Sequence, residues 1–315
     1  MSLPASENAI EVSGLRMNYR GVDALKGIDL VVPAGTVMGL LGPNGAGKTT
    51  TVRIISTLLR PTGGAVRING IDALTHAHRV RSLMGLSGQN AAIDDNLTGL
   101  ENLVMIGRLS GLGRRGAAVR ARELLEQFDI VEASRRRVGT YSGGMRRRID
   151  LAGAIIIRPP VLLLDEPTAS LDPVSRTELW SEVKDLVASG TSVLLTTQYL
   201  EEADQLADSV TVIVGGQVVD RGTPTELKSR LRTAQVRLQL SPGGDPHAAA
   251  EIVAGLDDAT DIVVDGNQLT FSAPDAGPHM ARAIALLATA GMGVDDAVVS
   301  EPTLDDVFVS LAGRS

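Results

Sequence analysis

The stretch Gly42-Pro43-Asn44-Gly45-Ala46-Gly47-Lys48-Thr49-Thr50 decides the reading of this chain. It follows an apolar run, Val37-Met38-Gly39-Leu40-Leu41, that reads as a buried strand, and it precedes a segment of helical pattern over 51–59. Strand, glycine-rich loop, Gly-Lys-Thr and helix form a phosphate-binding loop in the context such a loop needs. Glycines let the backbone wrap closely around an anion and turn N–H groups inward. The start of the following helix adds its positive end. Lys48 can reach the β- and γ-phosphates, and the Thr49 hydroxyl can complete the shell of a Mg²⁺ ion. The chain has only four lysines, at 26, 48, 184 and 228, so chance is a poor explanation for one at this place. A nucleoside triphosphate site is expected, with Gly42, Asn44, Gly45, Ala46, Gly47, Lys48, Thr49 and Thr50 as its contacts.

With 315 residues the chain can bury a large core and form two domains. Aromatic residues are 2% and hydrophobic ones 43%, so that core must be aliphatic. The longest apolar runs, 151–157 and 283–290, fall short of the roughly 18–20 residues that span a bilayer. Residues 1–10 show no apolar segment of a secretory signal. A soluble or peripheral protein facing the cytoplasm is expected. Zero cysteines remove disulfides, thiolate metal sites and cysteine nucleophiles. The histidines at 76, 78, 247 and 279 form no metal-ligand pattern. A net charge of −7 argues against a general nucleic-acid binder. The arginine clusters 135–137 and 146–148 read as solvated or salt-bridged helix faces, with phosphate or lipid headgroups as the other use.

Along the chain, 10–12 and 28–32 read as strands, with another at 65–69 after the Gly63-Gly64 turn. From about 96 to 137 the spacing turns helical, as in 117–128, and the glycines at 107, 111, 113 and 116 predict several short helices. Residues 161–164 form an apolar strand, 174–189 an amphipathic helix ended by Gly190, and 191–197 and 210–214 two more strands. Strands alternating with helices predict an α/β domain with a mainly parallel sheet. After about residue 230 the pattern restarts: strand 235–240, helix 246–256, strands 262–264 and 268–272 around Asp265-Gly266-Asn267, helix 278–290, strand 296–299 and helix 303–312. Asp265-Gly266-Asn267 is a hairpin signal, and Thr303 with Asp306 predicts a helix cap. The order β-α-β-β-α-β resembles a small ferredoxin-like α+β domain.

Val161-Leu162-Leu163-Leu164 ends in Asp165-Glu166. A buried strand that delivers acids at its C-terminal end can place a Mg²⁺ ligand and a base beside the γ-phosphate. Asp165 is the candidate metal ligand and Glu166 the general base that polarises water. Upstream stands Tyr141-Ser142-Gly143-Gly144-Met145, where Ser142, Gly143 and Gly144 read either as an ordinary helix-opening turn or as a second anion nest at a helix start.

The ordered set of motifs resembles the ATP-binding cassette (ABC) ATPases over residues 8–225. The resemblance implies a P-loop NTPase fold: a RecA-like core with an antiparallel β-subdomain and a helical subdomain at about 96–158. The cassette would span 8–230, and 231–315 would form the accessory α+β domain. By resemblance, Tyr19 stacks on adenine and Gln89 senses Mg²⁺ and the attacking water. The resemblance further implies that the Ser-Gly-Gly nest contacts the γ-phosphate held by the other subunit of a head-to-tail homodimer that ATP closes, that Asp172, in Ser170-Leu171-Asp172, couples the two ATP sites, and that the 96–137 stretch docks on a membrane partner. One position departs: where the family usually has His after strand 191–197, this chain has Gln198. An amide still donates a hydrogen bond to phosphate but carries no charge. Hydrolysis with Glu166 as base is expected to persist.

Gln198, the 141–148 stretch and the ending Leu304-Asp305-Asp306-Val307-Phe308 resemble the daunorubicin/doxorubicin-resistance ATP-binding proteins, whose permease is a separate chain. That implies antibiotic or multidrug export, powered from the cytoplasmic face of the membrane with ATP and Mg²⁺. The alternative is a non-transport cassette ATPase of translation or DNA repair. Such proteins commonly carry two cassettes or a long coiled-coil insertion. This sequence shows one phosphate loop, one Ser-Gly-Gly nest and no long heptad run. A sugar-import ATPase would carry an OB-like C-terminal domain, which the two helices between strands argue against.

Overall fold

The computed structural model describes residues 7–88, 93–169, 171–231, 234–300 and 302–312. The chain divides into two compact units, 1–224 and 225–315. In the first, β1 (Asn8–Tyr19) and β2 (Val22–Pro33) lead to β3 (Val37–Leu41) and α1 (Lys48–Ile55). Next come β4 (Gly63–Ile68), β5 (Ile71–Asp72), α2 (Ala77–Arg81) and β6 (Met84–Ser87). Three helices follow: α3 (Gly99–Leu109), α4 (Arg114–Gln127) and α5 (Gly143–Ala154). The unit ends with β7 (Val161–Asp165), α6 (Pro173–Ala188), β8 (Ser192–Thr197), α7 (Leu200–Leu206), β9 (Ser209–Val214) and β10 (Gln217–Gly222). The short α8 (Pro224–Ser229) covers the division between the units.

Among the described residues the first unit holds two sheets. One is antiparallel, in the order β2-β1-β4-β5. The other runs β10-β9-β3-β8-β7-β6 and is parallel except for β10 at its edge. Burial follows from these arrangements. Strands β3, β7 and β8 are buried at every position, as a parallel sheet covered on both faces requires. β2 instead alternates, with one face toward the core. The two-residue period divides the central strands between two cores. Leu40, Val161, Leu163 and Leu194 join the core shared with α1 and the antiparallel sheet. Val37, Leu162, Leu164, Val193 and Leu195 join Leu103, Leu124, Phe128 and Ile149 of α3 to α5 and the residues between them.

The glycine expectation over 96–137 needs correction. The chain breaks once, around Gly111, which is left-handed at φ +94°, and Gly113, the N-cap of α4. Gly107 and Gly116 lie inside helices. A Cβ on Gly107 would stand 3.2 Å from the Ala117 Cβ and 3.3 Å from Ile156 Cγ1, so Gly107 serves close helix packing. The helix after the phosphate loop also starts earlier than its apolar pattern predicts, at Lys48. β1 and β2 are twelve residues each, far longer than the runs 10–12 and 28–32, because bulges interrupt their alternation.

The second unit contains β11 (Ala234–Leu240), α9 (Pro246–Ala254), β12 (Thr260–Asp265), β13 (Gln268–Ala273), α10 (Ala276–Thr289), β14 (Val294–Ser300) and α11 (Leu304–Ala312). Its sheet order is β12-β13-β11-β14, antiparallel throughout. That is the ferredoxin-like order, with two interleaved β-α-β crossovers. Val236, Leu238 and Phe271 of the sheet meet Val253, Ala283 and Leu287 of the helices. Thr303 and Asp306 cap α11 reciprocally: the Thr303 N–H donates to Asp306 Oδ2 (2.8 Å) and the Asp306 N–H to Thr303 Oγ1 (3.3 Å).

Gly85 sets how closely α5 approaches the sheet, since a Cβ there would stand 2.2 Å from the Ala154 carbonyl oxygen. Gly85→Ala should therefore destabilise the fold by about 1–3 kcal/mol, the usual cost of overpacking. A urea-unfolding midpoint equal to that of the parent protein would contradict it.

Candidate nucleotide site

β3 carries the chain through the core and releases it into the loop 42–47. At Gly42 a Cβ would stand 2.3 Å from the Ile213 carbonyl oxygen. Gly47 is left-handed, at φ +108°, and a Cβ there would meet Leu25 Cδ2 at 2.6 Å. Only glycine fits either place. Gly47 is also the N-cap of α1 and supplies no side-chain cap, and the first turn holds no acid. The N–H groups of that turn are thus suited to an anion. Lys48 is 4% exposed, and its Nζ donates to the carbonyls of Gly42 (2.7 Å) and Pro43 (3.2 Å).

The three neighbouring strands β3, β8 and β7 end together, with Leu41 paired to Thr197 and Asp165 to Thr196. Their C-terminal edge is where a parallel sheet presents ligand groups. Asp165 Oδ1 accepts from Thr49 Oγ1 (3.3 Å) and from Thr196 Oγ1 (2.5 Å). A hydroxyl and a carboxylate oxygen this close are hard donors, and they fit Mg²⁺. Glu166 turns left-handed at φ +51°. Its N–H donates to the Thr196 carbonyl (3.0 Å) and to Thr196 Oγ1 (3.2 Å). Glu166 Oε1 lies 3.6 Å from Lys48 Nζ. Burial lowers the Lys48 pKa below the ordinary lysine value, against the pull of Glu166 and Asp165. A triphosphate entering the loop would compete with Glu166 for that ammonium.

The second nest forms a separate group. Ser142 caps α5 by accepting from the Met145 N–H (3.3 Å), and Ser142 and Gly143 are exposed. A Cβ on Gly144 would stand 2.8 Å from Ser175 Oγ, so the nest abuts the start of α6. Asp172 caps that helix, accepting from the Ser175 N–H (3.0 Å) and hydroxyl (2.8 Å), and these bonds hold its carboxyl below the usual range. Gln198 is exposed, immediately after β8. Tyr19 is 42% exposed at the end of β1, in the hairpin that feeds β2 past Gly47. Gln89 and Ser170 lie outside the described residues. Gly88, just before Gln89, lies beside Asp165: a Cβ there would stand 3.2 Å from the Asp165 Cβ.

Two groups escaped the sequence reading. Thr196 holds both carboxylate residues. Its signal was a hydroxyl in a buried strand, where a polar atom must find a partner. By sequence Arg147 reads, with its neighbours, as part of a solvated or salt-bridged helix face. Arg146 does pair with Asp95 (2.6 Å) and Arg148 with Glu178. Arg147, in contrast, turns inward and donates to the carbonyls of Gly88, Asp165, Glu166 and Pro167.

Beyond Gln198, α7 buries Glu202 completely. Trp180 Nε1 donates to its Oε1 (3.3 Å), and among the described residues Oε2 has no hydrogen-bond partner. Burial raises its pKa, although the Thr197 and Thr168 hydroxyls, Trp180 and Arg176 pull it down. The folded state therefore binds this proton more tightly than the unfolded state. The resulting stability is full below the unfolded value, about 4.3, and is lost as pH rises through the raised one. Glu202→Gln should melt higher than the parent at about pH 8, with the difference gone near pH 4. Parallel melting curves across that range would contradict this.

Comparison with known proteins agrees with this geometry. Residues 25–169 match the family described as ABC transporter. Residues 222–312 match the ATP-binding protein DrrA1-3-like C-terminal domain. The chain is 47% identical over 310 residues to the daunorubicin resistance ATP-binding protein DrrA3 of Streptomyces coeruleorubidus, covering 98% of this chain and 97% of that one. It is 33% identical over 309 residues to the linearmycin resistance ATP-binding protein LnrL of Bacillus subtilis, covering 97% and 99%. A solved ATP-binding subunit of an ABC transporter superposes with a TM-score of 0.64 at 28% identity, over 70% of this chain and 92% of that one. By motif, fold and near-complete alignment, the chain belongs to the ATP-binding proteins of the ABC transporter family.

Proposed function

We propose that this ATPase powers an exporter of antibiotic-like molecules, closing as a homodimer on ATP and driving a permease made by a separate chain. The observation that carries this reading is the division of the phosphate-binding groups. The loop, Lys48, Asp165 and Glu166 form one group, and the Ser142 nest another. Each group is half a site, and two chains placed head to tail would complete both.

In the cycle, the loop residues 42–50 and Lys48 bind the triphosphate, and Tyr19 stacks on its base. Thr49 and Asp165, with Gln89, would hold Mg²⁺, which when bound neutralises charge on the β- and γ-phosphates. Lys48 exchanges Glu166 for phosphate, which takes the ammonium away from the carboxylate. Glu166 then takes a proton from water as the water oxygen bonds to the γ-phosphorus. The bond from that phosphorus to the bridging oxygen breaks, and its electron pair leaves with ADP. The Gln198 amide donates to the γ-phosphate. Ser142, Gly143 and Gly144 of the partner subunit close over it, and Asp172 couples the two sites.

The permease would dock on the helical subdomain at the cytoplasmic face of the membrane. A groove of about 590 Å³ lies between β6 and α3, lined by Met84, Leu86, Ile106 and Leu109. Leu109 is 82% exposed there. Among the described residues no helix is long and apolar enough to cross a membrane. Relatives named for resistance to daunorubicin and to linearmycin support an antibiotic-like cargo.

Glu166→Gln should bind ATP, lose hydrolysis by about 100-fold or more, and run as a dimer in gel filtration with ATP and Mg²⁺. A variant that stays monomeric would refute the ATP-closed cycle. Tagged protein recovered from detergent-solubilised membranes of its host should carry a polytopic membrane protein in near one-to-one amount. Recovery only with ribosomes or nucleic acid in the soluble fraction would favour the non-transport reading.

A further inference from the structure

Arg147 lies on α5, one turn beyond the Ser142 nest, and its guanidinium joins three segments. Nε donates to the Pro167 carbonyl (2.5 Å). Nη1 donates to the Gly88 carbonyl (3.0 Å) and reaches Asp150 Oδ2 (3.4 Å). Nη2 donates to the carbonyls of Asp165 (3.3 Å) and Glu166 (2.9 Å). A planar fork with five N–H donors can satisfy such a set, and a single ammonium cannot. One turn on, the buried Asp150 accepts from Ser87 Oγ (2.6 Å), so the same face of α5 also grips the end of β6.

What Arg147 holds matters for the chemistry. Glu166 occupies a left-handed backbone conformation that a residue with a Cβ adopts at a cost. It is fixed there from both sides: Thr196 takes its N–H, and Arg147 takes its carbonyl. Arg147 also binds the carbonyl of the residue immediately before Gln89.

We propose that Arg147 is the positioning residue of the hydrolytic carboxylate. It holds Glu166 in its strained turn and ties it, with the Gly88 carbonyl, to the helix whose first turn is the Ser142 nest. The nest and the base then move as one body. Engagement of a phosphate by the nest of one subunit is thereby felt at the catalytic carboxylate of that same subunit. The inference rests on the reading of Glu166 as general base.

The competing explanation is a structural strut, in which Arg147 only neutralises the buried Asp150. Arg147→Lys separates the two, because it keeps the charge beside Asp150 and loses the fork. The expected result is a kcat lowered about tenfold or more, as small misplacements of a catalytic group cause. Affinity for the non-hydrolysed analogue AMP-PNP and melting temperature should stay at the parent values. The double variant Arg147→Gln with Asp150→Asn, which removes both charges, should show the same split. Parent-level turnover in Arg147→Lys would overturn the proposal. So would a loss of turnover that follows lost affinity or lost melting temperature. Failure of the underlying reading has its own signature: Glu166→Gln would hydrolyse ATP as well as the parent.

Discussion

Lys48 carries its charge to a place where only 4% of the residue meets solvent, and that burial dictates its surroundings. A desolvated ammonium is stable only with oxygens within reach. Gly42 and Pro43 supply carbonyls from the loop, and Glu166 supplies a carboxylate from the end of β7. These partners come from opposite sides of β8. The fold must therefore bring β3 and β7 to the same level on either side of that strand. The pairs Leu41–Thr197 and Asp165–Thr196 do this through backbone hydrogen bonds.

The same sheet explains why the chemistry is confined to one edge. Its central strands are buried on both faces, so aliphatic side chains fill their length. Apart from Ser192, which accepts from the Gly35 N–H where β8 starts, the polar side chains of β3, β7 and β8 stand at the C-terminal edge, at Asp165, Thr196 and Thr197, where each finds a partner. Helices α3 to α5 on one face, and α1 with the antiparallel sheet on the other, bury the central strands behind that edge.

Much of this was legible in the sequence because the signals were local. The phosphate loop, the Asp165-Glu166 pair, the Ser142 nest and the Thr303–Asp306 cap are contiguous or nearly so. The β-α-β-β-α-β order of the second unit followed from alternation and turn residues. Long-range contacts stayed hidden. Thr196 serves residues 30 and 31 positions away, and Arg147 reaches Gly88 across 59. No spacing rule couples such positions. Gly107 and Gly116 misled for a related reason. Glycine breaks helices in isolation, but Gly107 lies where α3 touches Ala117 and Ile156, and tertiary packing outweighs propensity there. Lys48 as the first helical residue was hidden too, since the apolar pattern begins only after it.

The contact of Gly85 with the Ala154 carbonyl has a mechanical consequence. Gly85, Gly153 and Ala154 line the groove beside α3, so α5 is its floor. With no side chain between strand and helix at that point, the floor has no compressible layer beneath it. α5 thereby joins three places through packed contacts: the groove floor at Gly153 and Ala154, the Ser142 nest at its start and, through Arg147, the end of β7.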